Sequence, residues 1–211
     1  MSTPPAGPRK RGRGADPDQT RQALVDAAFE TLRHDGFRGA TARAIAERAH
    51  CNQATIYYHF GGIPPLLIEA LRLSSARRLD HYRQVATGLD DANAVLAALE
   101  DLHQADVASG HLTVMAELMG GITAEPDLRP GIEETIREWL EFVSERITTT
   151  MAGTPLGPLV PAADLTDLIF SLVIGLEMRT KLDGDEARFT RLVNLGRLVA
   201  AFVPGVARPA P

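Results

Sequence analysis

A single cysteine in 211 residues, Cys51, leaves no pair for an intramolecular disulfide, so the fold must hold by packing and the chain suits a reducing compartment. Its thiol reads either as a sensor or as a small hydrophobe seated in a turn. Aromatic residues make up only 5% of the chain, and no alternating polar–apolar run of useful length occurs. Both facts argue against sheets and for an all-α chain. No apolar stretch reaches membrane length, and the Pro-rich, basic first residues lack the apolar centre of a signal peptide, so a cytoplasmic protein with no membrane partner is expected.

Catalytic signatures are missing too. There is no GxSxG, HExxH, P-loop or dinucleotide fingerprint, and no His has a carboxylate partner at a telling spacing. His103, Asp106 and His111 have metal-ligand chemistry, but no Cys accompanies them and Gly110 intervenes. A non-enzyme with no cofactor and no metal is expected.

What the chain does have is 45% hydrophobic content, enough for real cores, and an uneven charge. The net charge of −5 argues against a nucleic-acid binder. Its distribution argues the other way: residues 1–60 hold 9 Arg or Lys against 6 Asp or Glu, leaving 13 against 21 beyond. Phosphate binding requires such a locally basic half.

That half contains Thr41 to Phe60, TARAIAERAHCNQATIYYHF, which reads as two short helices joined by a tight turn. Thr41 and Asn52 are N-cap residues for the two helices. Ala44, Ile45 and Ala49 share a buried face of the first. Ala49, His50 and Cys51 form the turn of a helix-turn-helix. Such a unit places its second helix in the major groove. Gln53 suits adenine, Ala54 and the Thr55 methyl suit a thymine methyl, and Tyr57, Tyr58 and His59 suit phosphate oxygens. Ile56 and Phe60, four apart, belong to the core.

The stretch resembles the DNA-binding motif of the TetR family of bacterial transcriptional regulators. The family pattern of Thr, Ile-Ala, a turn of Ala-Gly-Val type, a Ser-type cap and a Tyr-Tyr-His-Phe-like ending is met by Thr41, Ile45-Ala46, Ala49-His50-Cys51, Asn52 and Tyr57-Tyr58-His59-Phe60. Gly36-Phe37 and Leu66-Leu67 extend the match. Two departures stand out. His50 replaces the Gly whose left-handed backbone suits the turn, and Ile63-Pro64-Pro65 stands where the family commonly has a phosphate-binding Lys. The resemblance implies that Thr41 contacts phosphate and that Arg43 reaches a base edge, with a salt bridge as the alternative for Arg43.

Four units are expected: a disordered basic arm over 1–15, the three-helix DNA-binding domain over 16–62, a helical ligand-binding and dimerisation domain over 63–205, and a disordered tail over 206–211. Arg9, Lys10, Arg11 and Arg13 of the arm either reach a minor groove or form a solvated tail. A long helix from Pro64 to about Val85 links the domains as a lever. Two helices at 162–182 and 185–203 are apolar over more than one stripe and call for cover on several sides. The resemblance implies a homodimer joined through these two helices, with Gly175 and Gly196 allowing close approach.

It also implies a cavity for a small-molecule effector. Met115, Met119, Trp139, Phe142, Phe170 and Met178 are large, adaptable side chains that either line that cavity or are plain core. His103, Glu117 and Glu177 are polar groups on apolar helices and need partners if buried. Glu177 orients a ligand, lies at the surface or pairs between subunits. The expected function is a sequence-specific transcriptional regulator, a repressor released from a palindromic double-stranded operator by a small-molecule ligand. A ligand-independent architectural DNA-binding protein and an enzyme are the alternatives.

Overall fold

The computed structural model describes residues 16–86, 92–152 and 157–202. Among them are nine α-helices and no strand: α1 Pro17–Gly39, α2 Ala42–Arg48, α3 Gln53–Phe60, α4 Ile63–Val85, α5 Ala92–Ser109, α6 His111–Gly121, α7 Arg129–Met151, α8 Ala162–Asp183 and α9 Arg188–Phe202. The chain is therefore all-α. Arg9, Lys10, Arg11, Arg13 and the tail at 206–211 lie outside the described residues.

Local chemistry places the helix starts. The Asp16 carboxylate accepts the Asp18 N–H at 3.2 Å, and Pro17 follows at the first helical position, where its missing N–H costs nothing. Pro64 and Pro65 stand second and third in α4, within the first turn, where a missing N–H likewise costs nothing. A 3-10 turn, Pro126–Leu128, leads into α7.

One continuous core runs from the first three helices into the rest of the molecule. Leu24 and Leu32 of α1, Ile45 of α2 and Ile56 of α3 are fully buried against Leu66 and Leu71 of α4. The same cluster continues through Val114 and Leu118 of α6 to Leu128 and Ile132. Each such side chain contributes about 1.5–3 kcal/mol by leaving water. Phe29, Phe37 and Phe60 are only partly buried and pack on its edge. Because the core does not stop at α3, the recognition unit is held at a fixed angle to α4 and α6.

The last two helices differ from expectation in detail. α9 starts at Arg188, not Asp185, because Asp183, Gly184 and Asp185 form a turn closed by ion pairs. Gly184 takes φ 70° there, and Arg188 and Arg191 reach back to Asp183 and Asp185 at 2.5 Å each. Val193 is buried within the subunit, and a Cβ on Gly196 would meet Leu96 of α5 at 3.5 Å. Gly196 therefore serves α5–α9 packing inside one chain, where Arg197 also pairs with Glu100 at 3.0 Å. Gly175 faces open space. No described helix is long and apolar enough to cross a membrane.

Candidate nucleic-acid interface and effector cavity

The Thr41 hydroxyl accepts the Ala44 N–H at 3.2 Å and so starts α2; the Asn52 carboxamide oxygen accepts the Ala54 N–H at 2.9 Å and starts α3. Between them His50 adopts φ 52°, among the described residues the one left-handed position not held by glycine. The Cys51 N–H donates to the Ala46 carbonyl at 2.9 Å, closing the turn. Gly61, at φ 77°, ends α3 with its N–H on the Tyr57 carbonyl. A left-handed non-glycine residue costs roughly 1–2 kcal/mol. Allowing for the extra unfolded-chain entropy of glycine, His50→Gly is expected to stabilise the protein by about 0.5–1 kcal/mol in urea denaturation. An unchanged midpoint would show that the imidazole makes a compensating contact.

Ile56 is fully buried and fixes the rotation of α3. Gln53, Ala54, Tyr57 and Tyr58 consequently face solvent, with Tyr58 84% exposed, while Thr55 and His59 are half-buried beside them. Thr41 is exposed at the start of α2, and Arg43 Nε lies 2.9 Å from the Glu47 carboxylate, one turn on. That pair is exposed and weak in water, so Arg43 is free to exchange it for DNA. Phe60 is steadied from outside by the Arg21 guanidinium, 5.1 Å from its ring centre, and Arg21 in turn meets Glu69 at 2.6 Å. Cys51 is half-buried, and burial pushes its thiol up, away from the thiolate that a sensor requires.

Behind this surface α1 docks on α6 through contacts that admit little slack. α1 breaks at Gly36, whose φ of 70° and ψ of −178° are accessible essentially to glycine alone. The break turns the Phe37 N–H outward to donate to the Glu117 carboxylate at 3.0 Å, and Lys181 of α8 pairs with the same carboxylate at 3.3 Å. A Cβ on Gly36 would lie 2.9 Å from that carboxylate, and one on Gly121 would lie 2.7 Å from the Phe37 ring. Glu117 thus joins α1, α6 and α8. Gly36→Ala is expected to cost about 2–3 kcal/mol of stability, from backbone strain and displacement of Glu117. Circular dichroism on urea titration checks it, and a loss below about 0.5 kcal/mol would mean that the junction relaxes freely.

Further in, a buried polar cluster sits between α4, α5 and α7. Asp106 accepts from Arg78 Nε at 2.5 Å and from the Tyr82 hydroxyl at 2.6 Å. The Arg78 guanidinium lies 4.8 Å from the Tyr82 ring centre and 5.0 Å from that of Trp139. Burial and the neighbouring Asp106 keep the Tyr82 phenol protonated, although Arg78 opposes this. Two spaces adjoin the cluster. An open cleft of about 430 Å³ lies between α1, α4 and α5, with Phe29, Arg77, His81 and Asp106 on its walls. A narrow cavity of about 20 Å³ lies between α4, α6, α7 and α8, lined by Ser75, Arg78, His111, Met115, Trp139 and Phe170 among others.

Of the side chains expected at an effector cavity, the structure brings together Met115, Trp139 and Phe170. Met119 instead packs on the core beneath the recognition unit, Phe142 is half-buried on α7, and Met178 is half-exposed on α8. His103 stacks on Phe189 with ring centres 3.6 Å apart, and the buried Glu177 accepts the Thr113 hydroxyl at 2.9 Å. His103, Asp106 and His111 take separate partners, and among the described residues no three His, Cys, Asp or Glu side chains gather as a metal would need. Sequence reading missed Ser75, Arg78 and Tyr82, and weighed Asp106 and His111 only as metal ligands. Arg78 and Tyr82, spaced i, i+4, carry a faint signal; Asp106 carries none.

The described geometry agrees with comparisons to known proteins. A family model described as bacterial regulatory proteins of the TetR family matches residues 24–70, from α1 into α4. The HTH-type transcriptional regulator BetI of Agrobacterium fabrum is 30% identical over 166 residues, 77% of either chain. The HTH-type nicotine-responsive transcriptional repressor HdnoR of Paenarthrobacter nicotinovorans is 30% identical over 105 residues, half of this chain and 54% of that protein, so the match spans about half of that relative's length. A TetR-family regulator from Rhodococcus sp. superposes with a TM-score of 0.71 at 22% identity, covering 86% of this chain and 98% of the other, a likeness of fold. With an exposed, capped recognition helix on an all-α body and a relative of this identity over three quarters of both chains, the protein belongs to the TetR family of DNA-binding bacterial transcriptional regulators.

Proposed function

We propose that the protein is a homodimeric repressor that grips a palindromic operator with two copies of α3 and lets go when a small molecule enters the cavity between α4, α6, α7 and α8. The observation that carries the DNA half is the disposition of α3: Ile56 buried, with Gln53, Ala54, Tyr57 and Tyr58 outward. Gln53 and Thr55 read bases, Tyr57, Tyr58, His59 and Thr41 hold phosphates, and Arg9, Lys10, Arg11 and Arg13 add non-specific attraction. One relative bears the name of a nicotine-responsive repressor, which supports release by a small molecule.

Release follows from the contacts behind α3. A cavity of about 20 Å³ has room for roughly one water, whereas ligands occupy several hundred Å³. Occupation must therefore part its walls. α6 is both a wall and the platform for Phe37, through Glu117 and Gly121, so its displacement rotates the recognition unit. In a dimer that rotation takes the two α3 helices off successive major grooves, spaced about 34 Å, and the operator-bound population falls.

The test is the specificity of the Gln53→Ala and Thr55→Ala proteins on a selected operator. Each is expected to lose about 1–3 kcal/mol of discrimination at one base position while the salt dependence of binding is kept. Unchanged discrimination in both would place the reading surface elsewhere.

A further inference from the structure

Within the described residues, three buried side-chain atoms without a hydrogen-bond partner belong to residues on the wall of the narrow cavity between α4, α6, α7 and α8: Ser75 Oγ of α4, His111 Nε2 of α6 and Trp139 Nε1 of α7. Buried polar atoms almost always find partners, and each orphan costs about 1–3 kcal/mol. Three around one space point to a ligand that supplies what the protein withholds.

Their hydrogen-bonding characters can be assigned. Both contacts of the Ser74 hydroxyl are satisfied together when it donates its single proton to the Leu71 carbonyl at 2.9 Å and accepts from His111 Nδ1, 3.1 Å away. That assignment places the His111 proton on Nδ1. Burial, and to a lesser degree Arg78, pushes the imidazole down to about 3, so the ring is neutral and Nε2 is a bare acceptor. Trp139 Nε1–H is a donor only, and Ser75 Oγ serves as either. The cavity thus asks for one group that both donates and accepts. Its remaining surface is largely apolar, with Leu112, Ile136, Phe170 and Val173 among the lining residues. Arg78 brings the one formal charge on the wall, and the Asp106 carboxylate neutralises it at 2.5 Å.

We infer that this cavity takes a small uncharged alcohol or phenol, apolar over the rest of its surface, whose hydroxyl donates to His111 Nε2 and accepts from Trp139 Nε1–H or the Ser75 hydroxyl. The inference rests on the reading that the cavity opens to an effector. A ketone or ester would leave His111 Nε2 unpaired. An ammonium group would leave the indole N–H unpaired and face Arg78. A carboxylate would enter where the only cation is already neutralised, and would also leave His111 Nε2 without a donor.

Trp139 is the chain's one tryptophan, so its emission reports this cavity directly. The full-length protein is titrated, without DNA, with five probes of one shape: cyclohexanol, cyclohexanone, cyclohexylammonium, cyclohexanecarboxylate and methylcyclohexane. Cyclohexanol is expected to change Trp139 emission saturably at concentrations about tenfold below those needed for any of the others. In Trp139→Phe, followed by thermal shift, and in Ser75→Ala, followed by both readouts, its affinity is expected to fall about three- to tenfold, with that of methylcyclohexane unchanged. Equal or tighter binding of the ammonium, carboxylate or ketone probe would overturn the assignment. So would methylcyclohexane binding as well as cyclohexanol, which would leave a site for a water molecule only, and so would silence from all five. Selective cyclohexanol binding that leaves an operator complex intact would support the assigned ligand class while removing the release reading, so the two fail separately.

Discussion

Leu172→Glu is expected to sediment as a monomer at micromolar concentration and to lose operator binding with its fold intact. Leu168, Leu172 and Leu182 of α8 recur along one side of the helix at 63%, 46% and 86% exposure, and Leu192, Leu195 and Leu198 of α9 are exposed as well. Six leucines left in water on two adjacent helices form a patch that a monomer does not keep without a partner. Gly175 lies on the same side of α8 with nothing within 4 Å of where a Cβ would sit, which leaves room for close approach of a second helix. In a two-fold interface the substitution appears twice, and each buried, unpaired carboxylate costs several kcal/mol. Even about 2–3 kcal/mol per copy raises the dimer dissociation constant by roughly three to four orders of magnitude. Val193→Glu is not an equivalent test, because Val193 is buried inside the subunit and its replacement would unfold α5–α9 packing. A Leu172→Glu protein that remains dimeric would move the interface away from α8.

Asp106→Ala is expected to destabilise the protein by about 3–5 kcal/mol, the cost of stranding a buried charge. The Asp106 side chain is 5% exposed and that of Arg78 is 11% exposed, so removing the carboxylate leaves the guanidinium with little water to turn to. The Tyr82 hydroxyl loses its acceptor in the same step. The cluster itself need not be a net source of stability, since ion pairs of this kind often break even against apolar replacements. That makes the double variant informative: Arg78→Met with Asp106→Leu is expected to recover most of the loss, and urea denaturation of both singles and the double measures the coupling. A loss under about 1 kcal/mol for Asp106→Ala would mean that water reaches Arg78. The cluster lies beside both cavities, with Arg78 on the wall of each.

Much of the fold was legible because its signals are local. Thr41 and Asn52 cap the helices they precede, Pro64 and Pro65 open α4, and the glycine-like place taken by His50 has the left-handed backbone that its position implied. The contacts that join the elements were not legible, because they link residues far apart in the chain. Glu117 meets Phe37 across 80 residues, and Asp106 meets Arg78 across 28. Nothing in the sequence around either acid marks its partner. The rotation of α9 was ambiguous for a different reason: an apolar pattern nearly all round a helix has no phase, so Val193 and Leu195 look alike until α5 covers one of them. Of the polar residues on apolar helices, Glu177 finds a threonine hydroxyl within the subunit, whereas His103 stacks on Phe189 and leaves its buried Nδ1 without a hydrogen-bond partner. The orphaned trio of Ser75, His111 and Trp139 arises only when α4, α6 and α7 are brought together.

The central claim, a dimer that reads a palindrome with α3, is tested most directly by selecting genomic DNA fragments on the purified protein at near-physiological salt and sequencing what is retained. One shared palindrome is expected, with half-sites centred about one helical turn apart, near 34 Å, and with the preference at one base position of each half-site relaxed in Gln53→Ala. Retention of fragments with no common sequence, or the same palindrome recovered with Gln53→Ala and Thr55→Ala combined, would contradict it.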